Sequence, residues 1–166
     1  PETFGTVGGP RRIAIVGKYV QLGDSYELFG KSLRGADIFL DEPSVTGTEN
    51  AIMAAVAAKG ATVLHNAASE PHVQDLCRFL GSLGARIEGI GSNVLRVRGV
   101  QQLGGGEWRI APEHIEVASF IGLAAVTGGD VTVENVEIDD LAPILPVFRR
   151  LGVEVELHES SVRVPP

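Results

Sequence analysis

The sequence is poor in the residues that define several functional classes. It has one cysteine, Cys77, so no disulfide can form within the chain, and the single thiol fits a reducing compartment such as the cytoplasm. One cysteine and four scattered histidines make a poor zinc set: His65 and His158 fall in or beside strands, His72 on a helix and His114 in a loop, and no pair stands at i, i+4. All four read as non-ligands, and no cofactor is expected. Aromatic residues make up 5%, so the core has to be aliphatic and alanine-rich. Basic residues are outnumbered, 14 against 21 acidic, for a net charge of -7, which leaves no broad basic face for nucleic acid or an anionic membrane. The longest uncharged apolar stretch, Val117 to Val126, is about half of the roughly 20 residues a membrane span needs. The first residues show no signal-peptide pattern.

Glycine is abundant, at 21 residues, which suggests many short elements joined by tight turns. At 166 residues and 44% hydrophobic content the chain can bury a sizeable core, and a single domain over 1–166 is expected. Within it the sequence repeats at an offset of about 68 residues. Lys59-Gly-Ala-Thr-Val-Leu-His-Asn66 parallels Gly128-Gly-Asp-Val-Thr-Val-Glu-Asn135. Leu76-Cys-Arg-Phe-Leu-Gly-Ser-Leu-Gly84 parallels Leu145-Pro-Val-Phe-Arg-Arg-Leu-Gly152. Alternating runs follow, Ala85–Glu88 and Val153–Glu156, then Val94–Val97 and Ser161–Val164. Two copies therefore cover 34–100 and 105–166, with 1–33 left as a partial or divergent unit.

Each copy reads strand, helix, strand, helix, strand, strand: an α+β fold of repeated βαβαββ units. The first helix, Thr48 to Ala58, is apolar nearly all round, as is its counterpart Val117 to Val126, so both are expected to be buried on all sides. The second helix, near Pro71 to Leu83, is amphipathic, with Val73, Leu76, Cys77 and Leu80 on one face. Cys77 is thereby a structural thiol. Its counterpart carries Leu141, Ile144, Leu145 and Phe148, but Pro146 would remove a hydrogen bond and kink it. Asp139 and Asp140 precede that helix and read as caps. Two units bury their first helices poorly, and three would do it better. An incomplete third unit would leave apolar surface that invites self-association.

The stretch richest in candidate chemistry is Asp41-Glu-Pro-Ser-Val-Thr-Gly-Thr-Glu-Asn50, between the strand Ala36 to Leu40 and the first helix. Thr46 and Glu49 form a capping-box pattern. A helix start offers free N–H groups and a positive dipole end, Gly47 allows close approach, and Ser44, Thr46 and Thr48 add hydroxyls. Plain helix capping and binding of an anion such as a diphosphate are both open on these residues. The Gly8-Gly9 and Gly104-Gly105-Gly106 stretches lack the Gly-Lys-Ser/Thr ending of a phosphate loop and read as turns.

The run from Leu33 through that turn to Val56 resembles the UDP-N-acetylglucosamine 1-carboxyvinyltransferases, of the enolpyruvyl transferase family. So do Asn66-Ala-Ala-Ser-Glu-Pro-His-Val-Gln-Asp-Leu76, Gly104-Gly-Gly-Glu-Trp-Arg-Ile-Ala-Pro-Glu-His-Ile-Glu116 and Ser119-Phe-Ile-Gly-Leu-Ala-Ala125. The resemblance runs from about 33 to 166, some four fifths of the chain. It implies one inverse α/β barrel-like lobe of a two-lobed bacterial enzyme of peptidoglycan precursor synthesis. That enzyme moves the enolpyruvyl group of phosphoenolpyruvate onto the 3-hydroxyl of UDP-N-acetylglucosamine. By the same resemblance Ser44, Val45, Thr46 and Gly47 contact the UDP part, with Arg12 (or its neighbour Arg11) alongside. Glu113, in Pro112-Glu-His-Ile-Glu116, helps position the catalytic loop, and Glu70 lies in a matching Glu-Pro turn that also reads as a plain helix start.

The chain departs from the pattern at several points. Glu42 stands where the family often has Lys, and Gly8-Gly9 is followed by Pro10 and Arg11 rather than by the loop Cys or Asp. The Lys-Asn motif that holds phosphoenolpyruvate belongs to the other lobe. Arg12-Ile-Ala-Ile-Val-Gly-Lys-Tyr-Val-Gln-Leu22 looks instead like the strand opening the glutaminase domain of CTP synthase, without the Gly-x-Cys-x-Gly elbow that would follow. The chain alone is therefore expected to be inactive, completed by a second lobe. The alternatives are a non-catalytic UDP-sugar-binding module, or an excised or engineered domain without activity.

Overall fold

The computed structural model describes residues 33–166. Arg11, Arg12, the Gly8-Gly9 stretch and the strand-like runs before Leu33 lie outside them. The chain divides into two compact units, with the boundary between Trp108 and Arg109. The fold is α+β.

The first unit runs β1 (Asp37–Phe39), α1 (Val45–Ala57), β2 (Ala61–His65), α2 (Pro71–Ser82), β3 (Arg86–Glu88) and β4 (Val94–Arg98). Its sheet has the order β1-β2-β4-β3. β1 and β2 are parallel because α1 crosses between them, and the other pairings are antiparallel. Strand alternation turns Ile38, Thr62, Leu64, Leu95 and Val97 to the inner face. Against them α1 buries Thr48, Ala51, Ile52, Ala54, Ala55 and Val56. Ile52 is wholly covered, which contributes about 1.5–3 kcal/mol. α2 adds Val73, Cys77 and Leu80, at i, i+4 and i+7, and starts on Pro71, whose missing N–H costs nothing in a first turn. After β4 the chain crosses the end of α1. Gly99 N–H donates to Gly60 O at 2.9 Å and Val100 N–H to Val56 O at 2.9 Å, and a Cβ at Gly99 would overlap Ala58 O.

The second unit runs α3 (His114–Thr127), β5 (Val131–Glu134), a 3₁₀ turn (Ile138–Leu141), α4 (Leu145–Arg150), β6 (Glu156–Leu157) and β7 (Ser161–Val164). Its sheet has the order β5-β7-β6, all antiparallel. The core is Val117, Ile121, Ala124, Val136, Leu141, Val162 and Val164. Arg163 on β7 forks onto Asp130, Nε to Oδ1 at 2.9 Å and Nη2 to Oδ2 at 2.8 Å, and reaches Glu156 Oε2 with Nη1 at 3.0 Å.

Corresponding residues of the two units share backbone conformations. Asn66 and Asn135 both have φ of 57°, the left-handed region Asn tolerates, and the glycines of both Leu-Gly pairs, Gly84 and Gly152, are also left-handed. Asn66 Nδ2 also donates to Leu40 O at 2.9 Å.

Several expectations are corrected. The strand expected over Ala36 to Leu40 is three residues, and α1 starts three residues before Thr48. No strand forms at 105–110, where Gly105 and Gly106 offer no side chains to pack on a sheet. The helix expected through Leu141 to Phe148 is two pieces. The chain breaks at Ala142-Pro143, and Pro146 falls in the first turn of a new helix, where proline is tolerated. The strand expected over Val153 to Glu156 begins only at Glu156, because Val153 N–H closes the end of α4 on Phe148 O at 3.0 Å. His114 opens α3 rather than lying in a loop. Neither first helix is buried on all sides: α1 leaves Met53 45% exposed, and on α3 Val117, Ile121 and Ala124 are covered while Phe120, Leu123 and Val126 are 48%, 51% and 83% exposed. Among the described residues no helix is long and apolar enough to cross a membrane.

Two glycines test the packing in opposite directions. Gly81, in α2, has nothing within 4 Å of an added Cβ, so Gly81→Ala is expected to raise stability by about 0.5–1 kcal/mol. Gly99→Ala is expected to lower it by roughly 1–3 kcal/mol, since backbone has to move. Urea midpoints of the two variants check this.

Arg163 holds the Asp130 carboxyl below its ordinary range, first by hydrogen bonding and then by charge. A depressed carboxyl stabilises the fold above its unfolded pKa and loses that contribution as pH falls through its folded pKa. Arg163→Gln is therefore expected to lower the urea midpoint at neutral pH, with the difference from the parent chain closing well below the carboxylate range and shrinking in high salt.

Candidate functional site

The turn from β1 into α1 is built by backbone hydrogen bonds before any side chain takes part. Leu40 N–H donates to His65 O at 3.0 Å, which aligns the end of β1 with β2. Asp41, Glu42 and Pro43 then run exposed across the surface. Ser44 N–H folds back on Glu42 O at 2.8 Å and Ser44 takes extended φ and ψ of -69° and 126°, which makes it the helix cap. Its Oγ accepts from Gly47 N–H at 3.1 Å and its carbonyl from Thr48 N–H at 2.9 Å.

The capping-box expectation at Thr46 and Glu49 is thereby corrected. The cap is two residues earlier, and the position three after it is Gly47, which has no side chain to return the bond. A Cβ at Gly47 would stand 3.1 Å from Ser44 Oγ, so the glycine makes room for the cap.

Thr48 is a second correction. It is wholly buried, and its Oγ1 accepts from the buried Ala68 N–H at 2.9 Å. It ties the loop after β2 to α1 and offers nothing to a ligand. Its spacing from Ala51, Ile52 and Ala55 puts it on the buried stripe, and that pattern was available in the sequence.

Val45 and Thr46 N–H then head a helix of 13 residues without a protein acceptor among the described residues. Thr46 is exposed, and Ser44, Val45 and Gly47 are half-buried. The first turn holds no acidic side chain, so the positive end of the helix dipole is not neutralised from within. The arrangement can take a small anion on two amides and one hydroxyl.

Glu113 is the cap of α3. Its Oε1 accepts from Ile115 N–H at 3.0 Å and lies 3.2 Å from His114 Nδ1. Glu70 sits at the cap position of α2 and makes no side-chain cap bond; its carbonyl accepts from Gln74 N–H at 3.1 Å. Cys77 is buried, and burial pushes its thiol up to about 11, which fits a structural residue rather than a nucleophile. His65 Nε2 lies 2.9 Å from Asp37 Oδ1, on the outer face of the first sheet.

Residues 18–166 match a family model described as EPSP synthase (3-phosphoshikimate 1-carboxyvinyltransferase). The chain is similar to the UDP-N-acetylglucosamine 1-carboxyvinyltransferase of Treponema denticola, at 46% identity over 99% of this chain and 40% of the relative. The enzyme of the same name from Bradyrhizobium diazoefficiens is 48% identical over the same shares. The chain thus spans about 40% of the length of these curated relatives. Among solved structures, the enolpyruvyl transferase NikO from Streptomyces tendae matches 82% of this chain and 36% of its own, with TM-score 0.73 at 25% identity. The EPSP synthase from Acinetobacter baumannii, at 21% identity and TM-score 0.62 over 82% of this chain and 32% of its own, shares the fold.

The clamp at Thr48 is testable apart from any ligand. Thr48→Val keeps the shape and removes the acceptor, so it is expected to cost about 1–3 kcal/mol by leaving Ala68 N–H unpaired. Thr48→Ser is expected to recover most of that loss in urea unfolding.

Proposed function

The chain belongs to the EPSP synthase (3-phosphoshikimate 1-carboxyvinyltransferase) family of enolpyruvyl transferases, and we propose that it is the UDP-N-acetylglucosamine-binding lobe of a UDP-N-acetylglucosamine 1-carboxyvinyltransferase. In this reading a complete enzyme transfers the enolpyruvyl group of phosphoenolpyruvate to UDP-N-acetylglucosamine in the cytoplasm, for peptidoglycan synthesis, without a cofactor. The observation that carries it is the helix start itself. Ser44 and Gly47 are joined in a cap that leaves the Val45 and Thr46 amides without a protein acceptor among the described residues and Thr46 exposed, at the residues that match the family's UDP-contacting turn. Arg12 joins them in the proposal. Glu113 is assigned the loop-positioning role through its backbone cap on α3.

The lobe works with a second lobe that supplies the phosphoenolpyruvate contacts, and alone it is inactive. Two facts support this: the chain spans about 40% of its relatives, and Gly8-Gly9 leads into Pro10-Arg11 rather than an acid or thiol. The exposed Phe120, Leu123 and Val126 on α3 are the surface that a further segment, or self-association, would cover. A non-catalytic UDP-sugar module is the second reading. It is favoured by Pro10-Arg11 and by Glu42, which sets a negative charge beside the proposed diphosphate position.

Amide shifts on titration with UDP-N-acetylglucosamine test the reading. Saturable movement of Ser44 to Thr48 and Arg12 is expected, weakened in Ser44→Ala, with no enolpyruvyl product when phosphoenolpyruvate is added. A dispersed spectrum that does not move would leave only the family fold. Turnover by the chain alone would remove the need for a second lobe.

A further inference from the structure

The outer face of the first sheet gathers positive charge in a chain whose balance is negative. Alternation turns Arg86 and Glu88 of β3, Arg96 and Arg98 of β4, and Ala61 and Val63 of β2 to this side. The register sets Arg86 directly opposite Arg98, and Glu88 opposite Arg96. Directly opposed residues stand about 5 Å apart at Cβ and alternate residues of one strand roughly 7 Å apart, so three guanidinium groups can converge on one point. Like charges facing each other across a ladder weaken it. Among the described residues no side-chain hydrogen bond or ion pair engages any of the three arginines, and the Glu88 carboxylate does not engage Arg96. Arg163, by contrast, is held by two carboxylates, Asp130 and Glu156.

Short side chains shape the middle of the face. Ala61 and Val63 form a low floor, and the arginines and Glu88 rise around it to enclose a depression of about 310 Å³. That is the lower end of the range of small-molecule sites. Three arginines against one carboxylate, Glu88, around a depression of ligand size leave room for an anion to balance the excess positive charge.

We propose that this face binds a small phosphate-bearing anion carrying at least two negative charges. A guanidinium fork matches two phosphate oxygens at once, and three forks around one depression favour a compact polyanion over a single carboxylate. The site lies across the sheet from α1, so its occupancy is separate from that of the proposed substrate turn. The groups are exposed, so binding is weak and strongly salt-dependent.

The test uses the full chain and inorganic pyrophosphate as probe, followed by the arginine Nε–H signals at low salt. The signals of Arg86, Arg96 and Arg98 are expected to move together and saturate. Arg98→Gln is expected to weaken binding about tenfold, the equivalent of one charge-assisted contact, and Arg86→Gln with Arg98→Gln further still. Arg98→Lys keeps the charge and loses the fork, so it is expected to fall between. Arg150→Gln, in the second unit, leaves the affinity unchanged. These variants remove a repulsion rather than a packing contact, so their thermal midpoints stay at or above the parent's, which confirms that they are folded.

Shifts spread equally over Arg149, Arg150 and Arg163 overturn the proposal, as does an affinity indifferent to Arg86 and Arg98. Movement confined to the amides of Val45 to Thr48 overturns it too, while supporting the substrate turn. Saturable arginine shifts in a chain that ignores UDP-N-acetylglucosamine uphold this site and sink the substrate assignment.

Discussion

Burial of one broad face of α1 is the constraint from which the first unit follows, with Thr46, Met53 and Ala57 left on the exposed side. A helix that hides Thr48, Ala51, Ile52, Ala54, Ala55 and Val56 needs neighbours over more than half of its circumference. Small residues let those neighbours come close. The sheet supplies one cover, and its strands must therefore alternate with Leu64, Leu95 and Val97 inward. The amphipathic α2 supplies another, and its thiol is spent on packing. Burial also explains one hydrogen bond and one close approach. Inside this layer Thr48 Oγ1 takes the buried Ala68 N–H, and the chain leaving β4 runs so close over α1 that only glycine fits at 99.

α3 shows that composition alone does not decide burial. Its sequence is as apolar as that of α1, yet Val126 is 83% exposed, because the second unit offers a three-stranded sheet and two short helical pieces as cover. Cover depends on how many elements reach a helix, which is a property of the neighbourhood and not of the helix. A chain spanning about 40% of its relatives leaves ample sequence elsewhere in the family for such cover.

Local chemistry was the legible part of the sequence. The strand-turn-helix at 37–57, the amphipathic face of α2 and the Asn and Leu-Gly pairs each rest on short-range rules, and the left-handed Asn66, Asn135, Gly84 and Gly152 show those rules at work. What escaped needed information beyond a window. Ser44 and Thr46 are both good caps, and only the path of the preceding turn, with Ser44 N–H on Glu42 O, selects Ser44. Pro146 read as a kink in one helix because the break at Ala142-Pro143 had no signal stronger than the apolar period running through it. The arginine face is invisible without register: Arg86 and Arg98 are 12 positions apart and meet only because β3 and β4 pair with that offset. Thr48 is the exception, since its place on the buried stripe could have been read from spacing.

Charge sets how any phosphate would be recognised here. A net charge of -7 gives long-range repulsion, so an anion is not steered in from a distance. At physiological salt that field is screened beyond about 8 Å, and only donors at contact distance can decide the outcome. The two regions able to offer them differ in kind. At the start of α1 the donors are fixed backbone amides, oriented by the Ser44 cap and cheap to use because they are already ordered, but Asp41 and Glu42 stand close by. On the outer sheet face they are long side chains, which lose freedom when they converge but bring full charge and planar forks. The first arrangement suits one anionic group attached to a larger ligand whose other parts supply the remaining affinity. The second suits a ligand that is mostly charge. The same layer thus offers two anion chemistries on opposite faces, and the distinction between them comes from backbone donors on one side and guanidinium donors on the other.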